Sequence, residues 1–318
     1  MKKVSIIGAG NAGTATAFYL AEKMVTNIML IDNVEGRAKG KALDLMEAAP
    51  LRNYDIQVNG SDKFEDMSSS DAIVIAAGTV RKPGMLRSDL IENNLPIVED
   101  VCRQIKKYAP NAVIINLTEP VDTMTYYIVK GSAEKQGFDP KKVLGLTGVL
   151  DAARMREFIA EELNIANINI SSIVLGGHHD HMVILPRYSR VNGIPISELL
   201  PPEKVEKIIE KTKNAGKDIV EALKTGSASY APGASVAEVV EVIIRDAKQI
   251  LCSSAYLNGE YKTKNICLGV PVLLGKNGIE KIIELELTSE EQKTFMKSAE
   301  VIETANRDLK LNTLQEEV

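Results

Sequence analysis

Residues 4–23 read VSIIGAGNAGTATAFYLAEK: an apolar run, three glycines within six positions, then a helix-like repeat. Few folds accept that order. Gly8, Gly10 and Gly13 stand in G-x-G-x-x-G spacing, which suits a tight strand-to-helix turn, close approach of a pyrophosphate to the backbone, and close helix–strand packing. A helix beginning near Asn11 and Ala12 would turn its free N–H groups and positive dipole end toward phosphates. Such an opening predicts a parallel sheet with a dinucleotide at the carboxyl ends of its strands.

The pattern continues to about residue 147. Val4–Ile7, Ile28–Ile31, Asp55–Val58, Ala72–Ala77, Ala112–Asn116 and Val143–Leu146 read as strands. Ala12–Lys23, Glu35–Ala48, Asp89–Lys107 and Val121–Lys130 read as helices between most of them. Continuous apolar strands alternating with helices predict a sheet covered on both faces, hence an α/β, doubly wound Rossmann domain over residues 1–147.

Residues 148–318 change character. A helix at Asp151–Leu163 precedes strand-prone stretches at Ile168–Gly176 and Met182–Ile196. Two long helical patterns follow, Pro202–Lys224 and Ser235–Ile250, then an antiparallel pair around the Asn-Gly turn at Gly275–Gly278. Ser289, followed by EEQ, opens a last helix in capping-box style. This half is expected to form an α+β substrate domain packed against the first, with a cleft between them.

Composition bears on partners. A net charge of −5 and the absence of a long Lys/Arg run argue against nucleic acid and anionic membrane. Lys2 and Lys3 before an apolar stretch imitate a secretion signal, but Gly8, Gly10, Asn11 and Gly13 break the run. No segment approaches the roughly 18 uninterrupted apolar residues of a membrane span. Cys102, Cys252 and Cys267 are odd in number and scattered, which speaks against a disulfide framework and fits a reducing cytoplasm.

Asp32 ends the second strand, 19 residues beyond Gly13, where a carboxylate can accept hydrogen bonds from an adenosine ribose. An acid there repels a 2′-phosphate, so NAD is expected over NADP, although Arg37 in the next turn leaves some room for NADP. After the fourth strand, Arg81 and Arg87 flank a Pro-Gly pair, as suits a surface loop that captures an anion. The histidines, His178, His179 and His181, all lie in GGHHDHMV at 176–183. They could be a metal cluster, or one could be a base. If the segment is extended, His179 and His181 share one face and His178 and Asp180 the other, so the four cannot converge on one ion.

GAGNAG, Asp32, GKALDL at 40–45, RKPGMLRSDL at 81–90, GVLDAARMR at 148–156, GGH at 176–178, RYSRVNGIPI at 187–196 and GVPVLLGKNGIEKIIEL at 269–285 form an ordered set. In that order the chain resembles the lactate/malate dehydrogenase family, and within it the lactate-dehydrogenase-like malate enzymes. The resemblance implies reversible NAD-dependent hydride transfer at a 2-hydroxyacid, with His178 as general acid and base. It implies that Asp151 orients His178, that Arg154 clamps the substrate's C1 carboxylate, and that Arg87 polarises the ketone. Arg81 takes the place that distinguishes a second carboxylate from a methyl group, which implies oxaloacetate and malate. Gly78 and Thr118 join Gly8, Gly10, Asn11, Ala12, Gly13 and Asp32 on the cofactor side. A homo-oligomer, a tetramer before a dimer, is a further implication.

The sequence departs from the family at two places. Thr118-Glu119-Pro120 stands where the family has Thr-Asn-Pro, so an amide that donates and accepts is replaced by a carboxyl at the substrate. Ionised, Glu119 would sit near a dianion at a cost of roughly 4 kcal/mol at ~4 Å and an effective dielectric of ~20. The expectation is a protonated or proton-sharing Glu119, with Glu119→Asn retaining activity and shifting its optimum upward. The second departure is His179, where the family has Gly, together with His181 nearby; both are expected to be edge or interface residues. Competing readings are a lactate or other 2-hydroxyacid enzyme, a metal- and NAD-dependent glycosidase of the same fold, and a non-catalytic NAD-binding protein.

Overall fold

The structure is a computed structural model that describes residues 2–79, 87–132 and 135–309. In the first half, β1 (Lys3–Ile7), β2 (Asn27–Ile31), β3 (Val58–Ser61), β4 (Ala72–Ile75), β5 (Val113–Asn116) and β6 (Val143–Gly145) run parallel. The helices between them are α1 (Asn11–Glu22), α2 (Arg37–Arg52), α3 (Arg87–Tyr108) and α4 (Val121–Lys130). The second half supplies α5 (Gly148–Leu163), α6 (Pro202–Leu223), α7 (Tyr230–Arg245) and α8 (Ser289–Arg307), and the strands β7 (Gln249–Asn258), β8 (Lys264–Gly275) and β9 (Gly278–Ile282).

All nine strands form one sheet in the order β9-β8-β7-β6-β5-β4-β1-β2-β3. The second half therefore extends the first half's sheet, with β7 antiparallel to β6 and Ser254 opposite Gly145. Alternate side chains of the parallel strands bury on opposite faces, as a doubly covered sheet requires. Ile6, Leu30, Val74 and Ile115 face one cluster, which includes Leu20 of α1 and Val236 and Val240 of α7. Ile7, Ile31, Ile73, Ile75 and Ile114 face another, built with Val98, Val101 and Ile105 of α3 and Met124 of α4. A smaller core of Met155, Ile159, Val174, Met182, Ile196 and Ile208 belongs to the second half.

Several expectations shift. The third strand is Val58–Ser61 and not Asp55–Val58: pairing begins where Val58 meets Ile28 of β2, while Tyr54 lies beneath α2 with its hydroxyl on the Leu45 carbonyl. The helix expected at Ser235–Ile250 is Tyr230–Arg245, with Pro232 tolerated in its first turn. Asp246, in the left-handed region at φ 52°, ends it, and Gln249 and Ile250 open β7 instead. The last helix is capped by Thr288 and not Ser289: its hydroxyl accepts from Glu291 N at 3.2 Å, and Glu291 accepts from Thr288 N at 2.8 Å. Within Ile168–Gly176 and Met182–Ile196 the strands are only two residues long, such as Val174–Leu175 paired with Val183–Ile184. No helix among the described residues is long and apolar enough to cross a membrane.

Candidate active site

β1 sits between β2 and β4, so chain direction through the sheet reverses there and a crevice opens at the strands' carboxyl ends. The loops after β1, β2, β4 and β5 bring Gly8, Asp32, Gly78 and Thr118 to that edge. A Cβ on Gly13 would lie 2.0 Å from the Gly8 carbonyl oxygen, so only glycine lets α1 start this close to β1. A Cβ on Gly10 would meet nothing within 4 Å, which leaves open space over the turn. Gly10 is also the N-cap of α1 and offers no side-chain acceptor, so the first-turn N–H groups, those of Asn11, Ala12 and Gly13, are not capped by it.

Asp32 is 6% exposed. Its Oδ2 accepts from Ala9 N at 2.8 Å, and its Oδ1 accepts from Val34 N at 3.0 Å and from Arg37 Nη1 at 3.3 Å. It thus ties the glycine loop to the end of β2, and each oxygen keeps lone-pair capacity for ribose hydroxyls. The open cradle, the uncapped helix end and the acid fit NAD. Gly78 and Thr118 line the same edge, where a Cβ on Gly78 would meet Thr118 Cγ2 at 2.8 Å. The Thr118 hydroxyl donates to the Ala77 carbonyl at 2.7 Å.

His178 reaches the same edge, with Nε2 3.9 Å from Glu119 Oε1 in the loop after β5. Its Nδ1 is 2.8 Å from Asp151 Oδ2, and its backbone N donates to Asp122 Oδ2 at 2.8 Å. Asp151 sits in the first turn of α5 at 1% exposure, and one helical turn on Arg154 Nη1 donates to Asp151 Oδ1 at 3.1 Å. The three residues expected to work together are therefore joined through one carboxylate. Arg154 Nε is buried without a protein acceptor, as suits a guanidinium aimed at an anion.

Burial opposes the His178 cation, but the charge and hydrogen bond of Asp151, helped by Glu119, overcome it. Arg154 pulls the other way, and the net result is a proton affinity raised to about 9. Glu119 presents Oε1 3.9 Å from His178 Nε2, while its Oε2 accepts from Val121 N at 3.3 Å. Asn116 is fully buried and bonds the backbone of this turn through Thr118 and Val121, so it does not replace the missing amide.

Arg81 lies outside the described residues, and of Arg87 the structure describes only the backbone that opens α3. The histidine segment is a turn, so the extended geometry weighed for it does not apply. His179 N donates to Gly177 O and Met182 N to His179 O, both at 2.8 Å. His179 folds inward: its Nδ1 accepts from His181 N at 3.1 Å, and its Nε2 is 3.2 Å from the Ser298 hydroxyl of α8. Partly buried, it packs within the turn against α8. Among the described residues no three His, Cys, Asp or Glu side chains are placed to hold a metal ion. Burial pushes the thiols of Cys102 and Cys252 up to about 12, so neither is a ready nucleophile.

Sequence reasoning missed Asp122, Ser254, Ser298 and Asn94. Asp122 was legible only as an acid in a helix's first turn; its partners come from far along the chain. Ser254 Oγ donates to its Oδ1 at 2.6 Å. Ser298 accepts from Gly177 N at 2.9 Å. Asn94, fully buried in α3, donates to the Glu119 carbonyl at 2.7 Å and accepts from Thr79 N at 2.6 Å, clipping two site loops together.

Residues 2–145 match the family profile described as "lactate/malate dehydrogenase, NAD binding domain", and residues 148–310 the one described as "lactate/malate dehydrogenase, alpha/beta C-terminal domain". The chain belongs to the lactate/malate dehydrogenase family. It is 48% identical over 302 residues to a malate dehydrogenase of Methanosarcina mazei, covering 95% of this chain and 97% of that protein. To a malate dehydrogenase of Bacillus subtilis it is 47% identical over 310 residues, with 97% and 98% covered. The crystal structure of Cryptosporidium parvum malate dehydrogenase superposes with a TM-score of 0.93 at 40% identity, over 97% of this chain and 99% of that one. A lactate dehydrogenase of the same organism, solved with lactic acid and nicotinamide adenine dinucleotide, superposes at 0.92 and 34% identity, with 97% and 98% covered. Family membership fixes the doubly wound NAD-binding fold and makes NAD the cofactor that the glycine turn and Asp32 fit.

Proposed function

We propose that this chain is an NAD-dependent malate dehydrogenase that interconverts malate and oxaloacetate. The observation that carries the reading is the joined set His178–Asp151–Arg154: a proton donor with its orienting carboxylate, beside a guanidinium with an unsatisfied buried N–H. NAD, when bound, supplies or receives the hydride. The protein's own part is to hold a proton on His178 Nε2, since Asp151 occupies Nδ1 and so sets which nitrogen faces the substrate. Arg154 fixes the C1 carboxylate, and Arg81 and Arg87 pair with the second carboxylate and the ketone. For malate over lactate, support comes from Arg81 in the sequence and from relatives at 47–48% identity that carry the malate name.

The same proposal places the substrate half at residues 148–318, the protein in the cytoplasm as a homotetramer, and its reaction in the tricarboxylic acid cycle. The test follows NADH oxidation at 340 nm with oxaloacetate and, separately, pyruvate. A preference for oxaloacetate of about 100-fold or more, some 2.7 kcal/mol, is expected. Preference for pyruvate would make this a lactate enzyme, and no turnover with either would make it a non-catalytic NAD-binding protein.

A further inference from the structure

We infer that Glu119 is a second proton site of the reduction: a keto dianion docks beside His178 only when the Glu119 carboxyl carries a proton, which hydrogen-bonds the substrate's reacting oxygen without being transferred to it. This rests on the oxaloacetate reading above and goes beyond it, because the family's amide needs no such proton.

Nε2 of His178 and Oε1 of Glu119 are 3.9 Å apart. An oxygen seated about 3 Å from Nε2, as proton delivery requires, can therefore lie within hydrogen-bond range of Oε1 as well. A carbonyl oxygen and a carboxylate oxygen both only accept, so the two repel until one proton makes them donor and acceptor. Glu119 is tethered in this pose at one carboxyl oxygen and at its backbone. Its Oε2 takes the Val121 N–H, and Asn94 fixes its carbonyl. Its side chain is 43% exposed, so the proton comes directly from solvent.

The charged groups facing the pair, among the described residues, are Asp151 and Arg154 from α5 and Asp122 from α4. Asp122 is committed to His178 N and Ser254, and Asp151 to His178 and Arg154, so neither competes for the incoming oxygen. The proton count closes. The keto oxygen keeps the proton that His178 delivers and becomes the hydroxyl. The Glu119 proton is taken up on docking and returned to solvent, because the product hydroxyl can itself donate to an ionised Glu119.

The slope of a pH profile counts these protons. With NADH saturating, wild-type kcat/KM for oxaloacetate should fall tenfold per pH unit once a carboxylic acid loses its proton, and hundredfold per unit above about 9, where His178 also titrates. Glu119→Asn and Glu119→Gln should stay flat further up and then fall tenfold per unit only. Their single limb should lie below 9, since the Glu119 charge helps to hold the His178 proton. A second measurement needs no turnover: calorimetry of oxaloacetate binding to the enzyme saturated with NAD, at pH 7 in buffers of different ionisation enthalpy. Wild type should take up about one proton more than the variants. Parallel profiles and equal proton uptake would overturn the inference alone. Absence of oxaloacetate turnover in wild type and variants alike would overturn the functional reading and the inference with it.

Discussion

Oδ2 of Asp151 lies 2.8 Å from Nδ1 of His178, and the other oxygen of that carboxylate holds Arg154 at 3.1 Å. One buried acid thus holds both side chains, and on the proposed reading it serves the proton donor and the anion clamp together. Its loss should be felt in both proton affinity and substrate binding.

Malate oxidation needs neutral His178 and should gain rate as pH rises toward about 9. Asp151→Asn removes the charge that holds the proton. That limb should move down by a unit or more toward the ordinary histidine range, and kcat should fall by about 10³-fold. Paired pH–rate profiles check both; an unmoved limb would mean that Asp151 does not set the His178 proton.

The same pair couples to stability. The folded His178 binds its proton more tightly than an unfolded histidine, so the stabilisation is fully present below about pH 6.5 and is lost as pH rises through about 9. The full shift corresponds to roughly 3 kcal/mol. Urea unfolding of wild type and His178→Asn should differ most at pH 6 and converge by pH 10.

Arg154→Gln should raise KM for oxaloacetate by about 10²-fold or more, because a desolvated carboxylate–guanidinium pair is worth several kcal/mol. Arg154 also lowers the His178 proton affinity, so the variant's basic limb should move up while its binding weakens. Weaker binding with a fixed limb would leave Arg154 as a clamp alone.

Asp32→Ala frees Arg37, its partner at 3.3 Å, and removes the acid that repels a 2′-phosphate. NADH should lose about 10-fold or more in kcat/KM while NADPH gains. If both cofactors fall equally, Asp32 acts only by tying down the glycine loop through Ala9 N.

His179 engages His181 N through Nδ1 and the Ser298 hydroxyl through Nε2. A chelator should leave activity unchanged, whereas His179→Ala should lower stability by about 1–2 kcal/mol. Inhibition by chelator that zinc reverses would restore the metal reading.

The first half was legible because every local signal agreed: glycine spacing, apolar strands and an acid at the right distance all point to one fold. Asp151 and Arg154 were legible through the family resemblance, and the structure joins them. The strand at Val58 was displaced because a parallel register is set by the neighbouring strand, which no local pattern records. Ser235–Ile250 misled because its apolar run crosses from α7 into β7, and short apolar stretches suit either state. Asp122, Ser254 and Ser298 could not be found from spacing at all, since each works only through contacts made across the fold. Arg81, on which the choice of substrate leans, lies outside the described residues.

Ser254 of β7 stands opposite Gly145 of β6, where the strands of the two halves meet. Cutting the chain there would leave β6 as a raw edge and strip Val236 and Val240 of α7 from the face they share with Ile6 and Val74. The halves should therefore melt as one cooperative unit. A fragment ending at residue 147, although it contains the whole glycine loop and Asp32, should aggregate before it binds a nucleotide.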